Sequence, residues 1–522
     1  MKINNLLIKN NYLYLSIFLI FTFFCYSSYL YLHIYDGHHH GFIYSNAIDL
    51  VNGRIPYKEI FIQYGLLGTF LNSVILKIFG LNILYINIFH LILYSVSILL
   101  VFLIITKITS SKYGFFSILI LLLNHPVPWL PWPNYLSFFF ILLGIFFLLS
   151  KVKFNNYSSG VFFSMACLAR QDYLFGILIG LFLFFLLIIL KKNSFYNVNK
   201  IIKSYCFLLL GLFTPITIFL FYLYFNELLV EWVKYINLPK LYFEHQSLNI
   251  VSSIYSFTKF FITNAIFNFI VTPQYLLISL ILISNTIYLF ILFRKKNHFL
   301  ILISIFTISL SSVAINLELF RLYTSVIIGI IPFSFFIYHL KNVFFKKILL
   351  FIIFFISFFS MIFYPYGSNK NFTADMFINV VSPNISVFKY QRWNSQKVKS
   401  LNVVYEFLNE IKNNCSIEFV ENLTFNSYFS IVHKYDRIKL VPYVTSHKNS
   451  VLVTSFDNNF VKKINEQITN QKIILIVSSG NLKFAEGNIE INNKYNMFKI
   501  NLNTINEKPQ NLDIYYPKKC FK

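Results

Sequence analysis

The chain has 522 residues, of which 57% are hydrophobic and only 12% charged, about half the charged share of an ordinary soluble domain. That balance excludes a water-soluble globule and calls for lipid as the solvent of most of the chain. The formal net charge of +24 is not read as nucleic-acid binding, because the lysines accompany an excess of Phe, Tyr, Ile and Asn that A- and T-rich codons produce. In a membrane protein the position of the charges carries the information.

The first apolar run, Leu13 to Leu32, is too long and too aromatic for a signal peptide, and no small-residue cleavage site follows it. It is expected to stay as the first span. Apolar runs long enough for helices in a bilayer then recur, giving about eleven spans: 12–34, 83–106, 113–125, 134–150, 157–169, 173–190, 201–224, 273–293, 298–316, 322–340 and 347–365. With the N-terminus in the cytoplasm, most basic residues fall on the inner side, among them Lys107, Lys112, Lys191, Lys192 and the run Arg294–Lys296, as the positive-inside rule requires. All eight acidic residues before residue 370 (Asp36, Asp49, Glu59, Asp172, Glu227, Glu231, Glu244 and Glu318) then lie on the external side. One membrane face thus holds every candidate carboxylate of this part. No inverted repeat with paired broken helices is visible, which argues against a secondary transporter.

The external loop after the first span runs from Asp36 through His38, His39 and His40 to Gly53-Arg54-Ile55-Pro56-Tyr57-Lys58-Glu59 and Tyr64-Gly65-Leu66-Leu67. A moderately apolar helix follows over Leu66 to Ile78. It contains Asn72, Ser73 and Lys77, so it is placed in the membrane interface and not across the bilayer. This loop resembles the first external loop of the GT-C glycosyltransferases, multispan enzymes that take a sugar from a polyprenyl-phosphate carrier. The matching features are Asp36 just past the first span, Gly53 with Pro56 and Tyr57, Tyr64 with Gly65 and Leu67, and Phe79 with Gly80. Leu168-Ala169-Arg170-Gln171-Asp172 adds a second likeness. Leu66 replaces an expected proline, Gly37 follows Asp36 where several relatives carry a second acid, and the loop Asn124 to Pro133 contains no acid.

The resemblance implies direct displacement with inversion, with Asp36 as the base that takes the acceptor proton. Arg170 and Arg321, with Lys58 ranked lower, are the candidates for contacting the donor phosphate, since guanidinium binds phosphate in a bidentate manner. An alternative for the two arginines is pairing with Asp172 and Glu318. Glu59, Asp172 and His38 form a possible secondary acid or divalent-cation set, although adjacent histidines cannot all turn to one ion in regular structure. The aromatic loop 226–258, with Trp129 and Trp132, suits an interfacial belt or a lipid-carrier groove.

After Tyr366 the composition turns polar. One amphipathic helix (Val398, Leu401, Tyr405, Leu408, Ile411) and strand-like runs at Ile417–Val420, Val451–Phe456 and Lys472–Val477 predict a small α/β domain. Its two cysteines, Cys415 and Cys520, are able to pair in an oxidising compartment. Cys25, Cys167 and Cys206 sit within spans.

The expected architecture is an α-helical polytopic membrane domain, GT-C-like, over residues 1–365, followed by an extracytoplasmic α/β domain over 366–522. The expected partners are a polyprenyl-phosphate sugar donor, a lipid-linked or polymeric glycan acceptor and membrane lipids, and the expected setting is a bacterial inner membrane. A glycolipid flippase or transporter, and a glycan polymerase or ligase, are the alternatives; the first needs polar groups inside spans, and the second needs external arginines that loop 226–258 lacks.

Overall fold

The computed structural model describes residues 11–33, 39–60, 62, 64–125, 131–150, 152, 154–190, 195–236, 273–295, 298–312, 323–324, 326–363, 379–385, 388–415, 417–422, 465–478, 489–502 and 510–520. Helices occupy the apolar runs in turn: α1 (Asn11–His33), α2 (His39–Val51), α3 (Leu66–Phe79), α4 (Ile83–Ile108), α5 (Ser111–Leu123), α6 (Pro133–Leu148), α7 (Asn155–Ala169), α8 (Tyr173–Leu190), α9 (Phe195–Phe225), the short α10 (Leu229–Ile236), α11 (Pro273–Lys295), α12 (His298–Ser312), α13 (Ile330–His339) and α14 (Val343–Phe363). A 3₁₀ turn, Ile327–Gly329, leads into α13. Among the described residues three helices are long and apolar enough to cross a membrane by themselves, and shorter apolar helices accompany them. Large apolar side chains such as Phe18, Phe21, Ile218, Phe221 and Phe351 stay exposed on α1, α9 and α14. A surface of that kind is stable against lipid tails, not water, and the protein is a helical membrane protein.

The chain divides into two compact units. The first comprises Met1–Ser27, His90–Asn226 and Leu248–Asn369. In it α7 packs between α6 and α9, α8 packs on α12, and α11 packs on α12, α13 and α14. Small residues set the closest of these approaches, as is usual where lipid removes the hydrophobic drive between helices. At the α7–α9 crossing a Cβ on Gly160 would collide with the Leu208 carbonyl, and one on Gly211 with the Tyr157 carbonyl. Hydroxyls lock the α6–α7 contact: Ser137 donates to the Ala166 carbonyl (2.9 Å) and Ser159 to the Gly144 carbonyl (2.8 Å).

The second unit comprises Ser28–Phe89, Glu227–Ser247 and Lys370–Lys522. Its C-terminal part holds β1 (Val380–Val381) paired antiparallel with β2 (Trp393–Asn394), then α15 (Ser395–Asn414), β3 (Phe419–Asn422), β4 (Ile473–Ser478), α16 (Ile489–Lys494), β5 (Tyr495–Leu502) and β6 (Gln510–Pro517). The larger sheet runs β3-β4-β6-β5, with β3 parallel to β4 and the other pairs antiparallel. Ile473, Ile474, Leu475 and Ile476 are all buried, so β4 is covered on both faces, which is why it reads as an unbroken apolar run. Asn394 caps α15 by accepting from the Gln396 N–H (2.9 Å), and the helix buries Val398, Leu401, Val404, Leu408 and Ile411. A disulfide joins Cys415 to Cys520.

Besides the residues from 370 onward, the second unit contains the loop after the first span. The physical reason is apolar burial. Tyr44 and Ala47 of α2, Leu76 of α3 and Ile83 and Ile86 of α4 share one core with Ile385, Phe388, Trp393 and the inner face of α15. The Leu66–Ile78 helix therefore buries Leu76 in protein, while Lys77, Ile78 and Phe79 stay exposed. The Val451–Phe456 strand expected from the sequence lies outside the described residues, and β5 and β6 were not anticipated.

Gly160→Val or Gly211→Val is expected to force the α7–α9 crossing apart, at a cost of about 1–3 kcal/mol or more, seen as a lower thermal midpoint of the detergent-solubilised protein. Ser at both Cys415 and Cys520 opens a closed loop spanning a separation of 105 residues, worth up to about 4–5 kcal/mol in the chain-entropy account. Limited proteolysis should then cut the second unit sooner while leaving the first intact.

Candidate functional site

In the first unit the end of α7, the start of α8 and the start of α6 converge on Arg170. This residue leaves α7 in an extended conformation as its C-cap, with its own N–H still bonded to the Ala166 carbonyl (3.0 Å). The residue is only 2% exposed. Nε donates to both oxygens of Asp172 (2.6 and 2.8 Å), Nη2 donates to Asp172 Oδ2 (2.6 Å), and Nη1 donates to Asn134 Oδ1. Asn134 passes the connection on, Nδ2 donating to Thr324 Oγ1 (3.1 Å), which also lies 3.4 Å from the Tyr173 hydroxyl. The guanidinium stands 5.3 Å from the centre of the Tyr173 ring, within cation–π range. A carboxylate and a carboxamide thus surround a buried cation, the condition for keeping a charge out of water.

A second polar group sits beside this network. His125 follows the end of α5, and its imidazole is enclosed by Tyr94 (ring centres 4.3 Å apart), Phe23 (5.2 Å), Tyr135 (5.5 Å) and Tyr323 (5.9 Å). Tyr323 donates to the Leu121 carbonyl (2.8 Å). A hydroxyl carries one hydrogen, so Tyr94 is the donor in its 2.9 Å bond to Tyr323. Asn134 and Tyr135 are neighbours at the start of α6, and Tyr323 and Thr324 are neighbours before the 3₁₀ turn. Each pair gives one side chain to the Arg170 network and one to the wall around His125.

The second unit carries the Gly-x-x-Pro-Tyr segment. Gly53 (φ +83°) and Tyr57 (φ +63°) occupy the left-handed region, where a residue such as Tyr is strained. Tyr57 is nevertheless buried, at the centre of a tight turn closed by Lys58 N–H to the Pro56 carbonyl (2.8 Å). Glu59 Oε2 accepts from the Ile55 N–H (2.7 Å), and Arg54 lies 3.9 Å from the buried Asp49. Tyr44 donates to Asn87 Oδ1, and burial pushes its phenol well above the ordinary value, so it stays protonated.

Among the residues expected from the sequence, Arg170 and Asp172 are brought together, in the pairing that was the alternative to phosphate contact. Lys58 is exposed, and Glu59 is exposed and braces its own turn. Asp36, His38 and Arg321 lie outside the described residues, as do Glu318 and Trp129. Trp132 is buried at the N-cap of α6. In the aromatic loop, Glu231 pairs with Lys234 (2.7 Å) on α10, an exposed pair worth little. For the divalent-cation set, no three His, Cys, Asp or Glu side chains gather among the described residues, and Asp172 is already taken by Arg170. Asn124, His125, Asn134 and Thr324 were missed; their signal was a polar residue at the edge of an apolar run, which is costly in a membrane and so is often functional. The chain matches no family model and no curated protein in sequence.

Asp172→Asn should be the most damaging single change here, because it leaves a buried guanidinium without its counter-charge, at about 3–5 kcal/mol. Arg170→Met should cost less, since Asp172 is 20% exposed and water can take over its solvation. The order of the two thermal midpoints tests this.

Proposed function

We propose that this protein is a membrane glycosyltransferase of the GT-C kind, moving a monosaccharide from a polyprenyl-phosphate donor to a lipid-linked or polymeric glycan on the external face of the membrane. The observation that carries the reading is the second unit: the loop after the first span is folded into one core with the C-terminal α/β part. The Arg392 N–H donates to the Leu32 carbonyl (2.6 Å) just before Asp36, and Tyr44 and Ala47 anchor α2 just after it. The described residues that flank Asp36 in sequence thus contact the C-terminal part on either side, which supports the reading, since a catalytic base needs to be held in place. The Cys415–Cys520 disulfide supports an oxidising, non-cytoplasmic compartment for this unit.

In the proposed reaction the acceptor hydroxyl gives its proton to Asp36 as its oxygen attacks the anomeric carbon. The bond from that carbon to the phosphate oxygen breaks, and polyprenyl phosphate leaves with the electron pair. Positive charge near the departing phosphate lowers the barrier. Lys58, in the same unit as the loop that carries Asp36, supplies it in this reading.

Membranes from cells expressing the wild type or Asp36→Asn, fed radiolabelled polyprenyl-phosphate sugars at matched levels of folded protein, test the proposal. Transfer by the wild type and a loss of about a hundredfold or more in the variant is the expected result. Equal transfer by both removes Asp36 from the mechanism, and no transfer from any donor favours the flippase.

A further inference from the structure

Asn124 and His125 are adjacent, only 1% and 3% exposed, and together leave three polar atoms without a hydrogen-bond partner among the described residues: Asn124 Oδ1 and both ring nitrogens of His125. The amide side of Asn124 is accounted for, since Nδ2 donates to the Ile120 carbonyl (2.8 Å). A buried polar group left unmet costs about 1–3 kcal/mol, and native proteins keep few of them. Here they occur at two consecutive positions. The four rings around the imidazole are inclined to its plane by 35° (Tyr94) to 85° (Phe23), and in the neutral form one of its nitrogens donates while the other accepts. Asn124 adds a further acceptor.

We infer that Asn124 and His125 form a binding site for the hydroxyl-bearing head of the substrate, a sugar, with Tyr94, Tyr135 and Tyr323 as its aromatic wall. A sugar hydroxyl both donates and accepts, matching an imidazole edge beside a carboxamide oxygen, and sugar C–H groups suit aromatic faces. A phosphate has acceptors but few donors and would leave Asn124 Oδ1 unmet. Because Asn134–Tyr135 and Tyr323–Thr324 each serve both clusters, the head group would lie against the Arg170 network. The choice of a sugar rests on the glycosyl-transfer reading; the unmet polar atoms do not.

The experiment uses the full chain in lipid nanodiscs, with polyprenyl phosphates bearing a hexose or a pentose and the same carrier without sugar as probes. Two variants are compared with wild type: His125→Phe, which keeps a ring, and His125→Leu, which is nearer in volume. In the wild type a sugar-bearing carrier should raise the thermal midpoint more than the bare carrier does. At least one variant should be more stable than wild type without ligand, by about 2 °C, because an unmet polar group is gone. That variant should bind the sugar-bearing carrier about tenfold more weakly, with binding of the bare carrier unchanged. Lower ligand-free midpoints, or failure to fold, in both variants make His125 a structural residue and overturn the site. Undiminished sugar binding by the more stable variant overturns it too, with glycosyl transfer left standing. A wild type that does not distinguish sugar-bearing from bare carrier removes both readings.

Discussion

Inside a bilayer a polar group has no water to fall back on, so each one has to be met by the protein or by a ligand. That constraint organises the first unit. It explains why the hydroxyls of Ser137 and Ser159 reach carbonyls on facing helices, and why Asn285 donates both to the Ile281 carbonyl of its own helix and to that of Gly329 (2.7 and 3.0 Å). Such bonds form only when backbones approach closely, and glycines at the crossings permit that approach. Arg170 is the extreme case. This buried guanidinium is stable because Asp172 lies two residues on, where the α7–α8 connection turns back, and because Asn134 begins the neighbouring helix. Close packing, the interhelical bonds and the buried ion pair follow from one condition.

The second unit obeys the opposite condition, the removal of apolar surface from water. A two-helix loop of the length of α2 and α3 cannot bury its own apolar faces, and Tyr44, Ala47 and Leu76 find cover in residues more than 300 positions later, among them Phe388, Trp393 and Leu401. The strained Tyr57 fits the same logic. A left-handed tyrosine costs on the order of 1–3 kcal/mol and persists because its ring is wholly buried. The loop and the C-terminal part are therefore one folding unit in energetic terms, although the chain between them runs through the membrane helices.

Much of this was legible in the sequence where a strong local rule applied. Lipid forces long apolar runs into helices, so the run at 173–190 coincides with α8 and that at 157–169 with most of α7. The spacing of Val398, Leu401, Leu408 and Ile411 gave the buried face of α15. Strands β5 and β6 were not legible because Asn496, Lys499, Asn501 and Asp513 interrupt their apolar residues; their pairing is long-range and tertiary, with Lys499 standing opposite Asp513 in register. For the site, the pairing of Arg170 with Asp172 could be weighed in advance because the two are close in sequence. The wall around His125 could not, because Phe23, Tyr94, Tyr135 and Tyr323 come from four distant segments and nothing local links them.

The ion pair also bears on what Arg170 can do. A guanidinium whose charge is offset by a carboxylate attracts a phosphate far less than an unpaired one does, so its role shifts from supplying charge to fixing geometry. Two anchored planar groups, Arg170 and Asn134, hold the starts of α6 and α8 at a set distance and orient Tyr173 and Thr324.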